Sequence, residues 1–106
     1  MATTTPKTLY HNQPSSTAAT LYTVPSVTTT IIRHIRAVNN DTVSHTFDLW
    51  RNGSADVNRI TETVTVAAGA SWEDDVYIAL AATDTIQGKA DAASKVTLYI
   101  GGAEIA

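Results

Sequence analysis

Three histidines, His11, His34 and His45, and one run of carboxylates, Glu73-Asp74-Asp75, are the groups in this 106-residue chain whose types could do chemistry. Nucleophilic catalysis needs a base and an orienter that converge on the nucleophile, and a metal site needs ligands at short, regular spacing. The histidines fall on three separate strand-like runs, and none stands two or four residues from another. They read as strand histidines that pack or face a partner. His45 differs in sharing the apolar face of its run with Phe47, and a buried imidazole there needs a hydrogen-bond partner. The carboxylate run lacks the D-x-D-x-D-G order and the distant bidentate glutamate of a calcium loop, so it reads as a solvated loop end or a patch for a basic partner. No serine sits in a G-x-S-x-G context, and no glycine-rich phosphate loop occurs. Asn40-Asp41-Thr42 and Asn52-Gly53-Ser54 fit the glycosylation acceptor pattern but read as turns. No catalytic, cofactor-binding or metal-binding residue is assigned, and a non-enzymatic protein without cofactor is expected.

Large aromatic groups on strand faces that should be wet carry more information. Trp50 lies opposite Phe47 and Leu49, and Tyr22, Tyr77 and Tyr99 each lie opposite an aliphatic face. Several exposed aromatics on a threonine-rich sheet suggest an interaction surface, so Trp50, Tyr22, Tyr77 and Tyr99 are the candidate partner-binding residues. The competing reading is that an N-terminal arm covers one sheet's outer face.

Composition narrows the class. Ten acids against seven bases give a net charge of −3, which argues against nucleic acid, where clustered Lys and Arg must neutralise phosphates. The one basic feature is Arg33-His34-Ile35-Arg36, and alternation places Arg33 on the opposite strand face from His34 and Arg36. With no cysteine, neither disulfides nor thiolate metal sites contribute. No stretch approaches the roughly 18 apolar residues of a membrane span, and no signal-peptide pattern opens the chain, so no membrane partner is expected. Abundant threonine and valine, as in Thr28–Thr30 and Thr61–Val66, favour a pleated, half-buried surface.

The elements that position these side chains are short and alternating. Residues 1–6 read as a flexible N-terminal arm and residues 7–106 as one domain. Strands are expected at Lys7–His11, Thr17–Val24, Val27–Val38, Val43–Arg51, Ile60–Val66, Trp72–Leu80, Asp84–Ala90 and Lys95–Ile100. The last two flank the turn Asp91–Ser94 and read as a β-hairpin. Asn52-Gly53 reads as a tight hairpin turn. In Val27–Val38 the adjacent Ile31 and Ile32 break the alternation, through a strand covered on both sides or a bulge; Ile31, Ile35 and Ala37 are taken as inward. About eight short strands with turn signals every 8–12 residues make the fold all-β, a single antiparallel β-sandwich of jelly-roll or Ig-like topology.

The chain also resembles a known family across roughly residues 8 to 105. The carrying segments are TLYHNQPSSTAATLYTVPS, IIRHIRAVNNDTVSHTFDLWRNG, VTVAAGASWEDDVYIALAATDTIQGKA and VTLYIGGAEI. They hold a leading "LYTVP" strand, a long strand ending in "VNN", an "AAG" turn, a "Leu-x-x-x-Asp-x-Ile" step and a "Gly-x-Glu" terminus. In this order they are similar to small β-sandwich structural proteins of tailed-bacteriophage virions. The resemblance implies a structural role in the virion without turnover. It points to a capsid decoration (cement) protein at the capsid surface, binding the major capsid protein or other virion proteins. Such proteins are often trimers, so a homo-oligomer is expected. A neck, tail or fibre-attachment station, or a carbohydrate- or host-surface-binding module, is the alternative.

Overall fold

The computed structural model describes residues 3–106. Eight strands, β1 (Thr4–Asn12), β2 (Ala19–Thr23), β3 (Thr29–Asn39), β4 (His45–Arg51), β5 (Val64–Val66), β6 (Ser71–Leu80), β7 (Thr85–Ala90) and β8 (Val96–Ile105), form two antiparallel sheets. One sheet has the order β1-β8-β3-β6 and the other β2-β7-β4-β5. The pairings nest, β1 with β8, β2 with β7, β3 with β6 and β4 with β5, as if one long antiparallel ribbon had been folded at the β4–β5 turn and then rolled. Every other connection passes from one sheet to the other. That is the jelly roll, and it resolves the two sandwich topologies that strand count leaves open.

The rolled path corrects the C-terminal hairpin. β7 lies between β2 and β4, whereas β8 lies in the other sheet between β1 and β3. Alternation and a polar turn are equally compatible with a hairpin and with a corner between sheets, because both need two half-buried strands. Asn52-Gly53 is corrected too. Asn52 has a φ of 62° and ends β4, but a long loop containing a short 3-10 turn, Asp56–Asn58, precedes β5. The Asn52 amide reaches sideways instead, donating to Asp84 Oδ1 at 3.0 Å and accepting the Thr85 N–H at 2.8 Å. Ile60 falls in this loop, and β5 shrinks to three residues.

The expected arm is partly strand. Thr4, Thr5 and Pro6 pair with Ile105, Glu104 and Ala103, because β8 extends five residues beyond Ile100 and offers them a ladder. Met1 and Ala2 lie outside the described residues.

Inner faces follow the alternation except where strands bulge. Ile35, Ala37, Phe47, Leu49, Ile86, Val96, Leu98 and Ile100 are all buried as expected. In β3 the register shifts between Ile32 and His34, so Ile32 points inward as the fully buried residue and Ile31 takes the other face. Arg33 is the extra residue opposite β8, which brings it to the same face as His34 and Arg36. β1 bulges at the matching point, between Thr8 and Tyr10. Both bulges flank Gly101 of β8, where the sheet bends.

Candidate interaction surface

The four aromatics singled out from sequence do not share one environment. Trp50 is only 3% exposed. The β4–β5 loop folds back over it, with a Trp50–Arg59 bridge and the Arg59 guanidinium 5.3 Å from the ring centroid. Arg59 is held there by Asp48 at 2.8 Å and Asp56 at 3.2 Å, and Asp48 also accepts from the Thr63 hydroxyl at 2.6 Å. Trp50 is therefore corrected from wet face to covered face, and the cover is this loop rather than the N-terminal arm.

Tyr22 is corrected as well. A register shift in β2 between Thr20 and Tyr22 lets both Leu21 and Tyr22 pack against the core. The Tyr22 hydroxyl crosses to the opposite sheet, where it meets Glu104 and the Thr30 hydroxyl, the latter at 2.8 Å. Burial, reinforced by the hydrogen bond to Glu104, pushes the phenol up to about 12. That same bond, with help from Lys7 at 3.3 Å, holds the Glu104 carboxyl below its usual range. Tyr22 ties the two sheets together.

Tyr77 and Tyr99 remain, and the fold brings them to one place, the outer face of the β1-β8-β3-β6 sheet. Tyr77 is 72% exposed on β6, with the Arg33 guanidinium 5.5 Å from its ring centroid. Tyr99 on β8 stacks edge-on with His11 at 5.5 Å, and its hydroxyl lies 3.1 Å from Thr8 Oγ1. Between them, where the bulges bend the sheet at Gly101, is an open hollow of about 430 Å³ lined by Pro6, Lys7, Thr8, Arg33, His34, Tyr99, Gly101 and Gly102. Three of these residues are basic and none is acidic, with the Lys7 ammonium already on Glu104 at 3.3 Å. Arg33 is what sequence alternation misplaced; the adjacent Ile31-Ile32 pair was the available sign that a bulge would move it.

Along the outer edge of the same sheet, β6 carries Glu73, Asp74 and Asp75. Glu73 pairs with Arg36 at 2.7 Å, and Asp75 with His34 at 2.7 Å. Among the described residues, Asp74 forms no ion pair and Arg33 none either. No group of three or more potential metal ligands occurs among the described residues.

His45 has the partners its position demanded. Its Nδ1 lies 2.8 Å from Asp91 Oδ1 and its Nε2 2.8 Å from Asp41 Oδ2. Only the imidazolium can donate from both nitrogens, so the carboxylates favour the charged ring. The bond to Asp41 is the main cause that raises His45 above its ordinary value, and the same bond lowers Asp41. This is a clamp joining the β3–β4 and β7–β8 corners, with no open coordination or substrate position.

A second cleft, about 440 Å³, lies beside the β4–β5 loop among Arg51, Asn52, Val57, Asn58, Arg59, Ile60 and Ile78. Its guanidiniums already bind Asp84, Asp48 and Asp56.

The sequence matches no protein-family model and no curated protein. Solved structures do share the fold. A chain of the Bacillus endospore appendages, described as disulfide-linked pili, is similar at a TM-score of 0.52 and 17% identity, over 98% of this chain and 88% of that one. A chain from infectious bursal disease virus, Gx strain, is similar at 0.55 and 11% identity, over 99% of this chain and 32% of its own length. One from the T13 particle of the same virus gives 0.56 and 7%, over 98% and 30%. The present chain thus spans about a third of those viral chains. The likeness is one of fold: an all-β sandwich of a kind found in virus particles and in a pilus.

Proposed function

We propose that this protein is a non-enzymatic structural component of a bacteriophage virion, a decoration (cement) protein that binds between major capsid subunits at the shell surface as a homo-oligomer, with a trimer favoured. The observation that carries the reading is the jelly roll itself, shared over 98–99% of this chain with chains of an icosahedral virus particle. The chemistry of the surface supports it. The titratable clusters are consumed in clamps, while Tyr77, Tyr99 and Arg33 are offered on one sheet face, a composition typical of protein interfaces. Binding would add shell stability by mass action.

The likeness to a pilus chain favours a second reading, a tail or fibre-attachment subunit. Disulfide linkage is not open to it, because the chain has no cysteine. The sugar-binding reading loses its main stacking platform now that Trp50 is covered.

The test is to add purified protein to shells that lack it, then follow co-sedimentation and the melting temperature of the shell. Saturable binding with a raised shell melting temperature is expected. Shells that take up no protein and melt unchanged would remove the decoration reading.

A further inference from the structure

We infer that the outer face of the β1-β8-β3-β6 sheet is a self-association surface, on which the Arg33–Tyr99 hollow of one copy receives the Asp74 edge of β6 from a second copy. This deepens the reading above by naming the partner of that face, and rests on it only for the biological setting.

The hollow is built rather than incidental. Bulges in β1 and β3 converge on Gly101, and bulges bend the strands that carry them. Gly102 is locked as glycine, since a Cβ would sit 1.9 Å from the Ile31 carbonyl oxygen. At Gly101, beside it, a Cβ would press on the Tyr99 ring at 3.2 Å. Its walls supply the residue types that dominate interface energetics, Tyr99 on one side and Arg33 stacked on Tyr77 on the other. Nearby ion pairs, Arg36–Glu73 and His34–Asp75, are satisfied within the chain, whereas Arg33 has no carboxylate among the described residues. A stacked, uncompensated guanidinium selects a carboxylate.

Charge complementarity identifies the occupant. Asp74 is exposed, lies on the free edge of the same sheet, and has no cationic partner among the described residues. Standing opposite the inward-facing Ile35, it projects from the reverse side of the sheet to Arg33, so one copy does not close this pair within itself. Two different patches meeting make a heterologous contact, which generates a closed ring or an open filament rather than a twofold dimer.

Sedimentation equilibrium of the full chain tests this with four proteins: wild type, Arg33→Glu, Asp74→Lys, and the double variant. Both positions are exposed, and circular dichroism checks that each variant keeps the fold. Wild type is expected to associate, more weakly at high salt. Each single variant should weaken association at least about tenfold, and the double variant should recover most of the loss by reversing the pair. A monomeric wild type, single variants that associate like wild type, or a double variant no better than the singles would each overturn the inference. The same proteins are then assayed on shells. Association without shell binding would leave this contact standing and remove the decoration reading, and shell binding by a monomer would do the reverse.

Discussion

At the scale of single residues, polar side chains fasten the corners of this sandwich. Asn39, 1% exposed at the end of β3, donates to the carbonyls of Val43 at 2.8 Å and Val66 at 3.0 Å, while its Oδ1 accepts the Asp41 N–H at 2.9 Å. The turn signal at Asn39–Thr42 was legible in sequence; the reach across to β5 was not, since it depends on which corner is stacked below. His45 works at the same end. Its folded-state affinity for a proton lies above the ordinary 6.5, so its contribution is fully present below about pH 6.5 and is lost as pH rises through the raised value. Asp41, lowered from 3.8, acts in the opposite sense: its contribution is present above that value and is lost as pH falls below it. Lys95 also acts electrostatically on Asp41 and lowers it further. The stability gap between wild type and His45→Gln should therefore be widest between about pH 4 and 6.5 and should narrow towards pH 9. Thermal melts of both proteins across that range check it. A gap that stays constant with pH would mean that the ring is held neutral.

At the scale of elements, bulges decide which faces point inward. Period-two alternation correctly predicts the inner residues of β4, β7 and β8, because those strands run with little interruption against neighbours. It misplaces Ile31, Arg33 and Tyr22, because one extra residue reverses every face beyond it. The bulge at Arg33 has a counterpart in Gly102, where the β8 backbone closes on β3. Gly102→Ala puts a methyl group 1.9 Å from the Ile31 carbonyl oxygen, a backbone atom that cannot swing aside. The strands must part, at a cost of about 3 kcal/mol or more. Gly69 is the contrast. It has a φ of +65° but open space around its Cβ position, so alanine there meets only backbone strain of about 1 kcal/mol. Denaturant unfolding of the two variants should separate them clearly. Equal losses would show that the β3–β8 contact can relax. The edge strands carry their own restraint: Pro6 and a bulge in β1, a bulge in β2, only three residues in β5, and three acids in β6. Partners are therefore expected to meet faces and charged margins rather than to extend a sheet.

At the scale of the whole molecule, the nested pairing makes the last strand central. β8 lies between β1 and β3, and its Val96, Leu98 and Ile100 are fully buried. Burial of three such side chains contributes on the order of 5–9 kcal/mol, comparable with the whole stability of a small domain, about 5–15 kcal/mol. A chain ending at Ala93 should not fold, since β1 would also lose its only ladder. Circular dichroism and thermal melting of that truncation provide the check, and a cooperative transition would show that β8 is dispensable. The same topology separates the partners of its outermost pairing by most of the chain, as in Thr4 with Ile105. Folding of such non-local pairs is slow compared with helical domains of this size.

By itself the sequence determined the strand count, most inner faces, the non-local need of His45 for a partner and the exclusion of thiol chemistry. These depend on residue type and period, which are local properties. Tertiary structure alone decided that β7 and β8 part company, that a loop covers Trp50, that Tyr22 turns inward to Glu104, and that Tyr99 and Arg33, the latter stacked on Tyr77, line one hollow. Those outcomes rest on which strands lie beside one another and where a single extra residue shifts the register, and neither is encoded in any one stretch of chain.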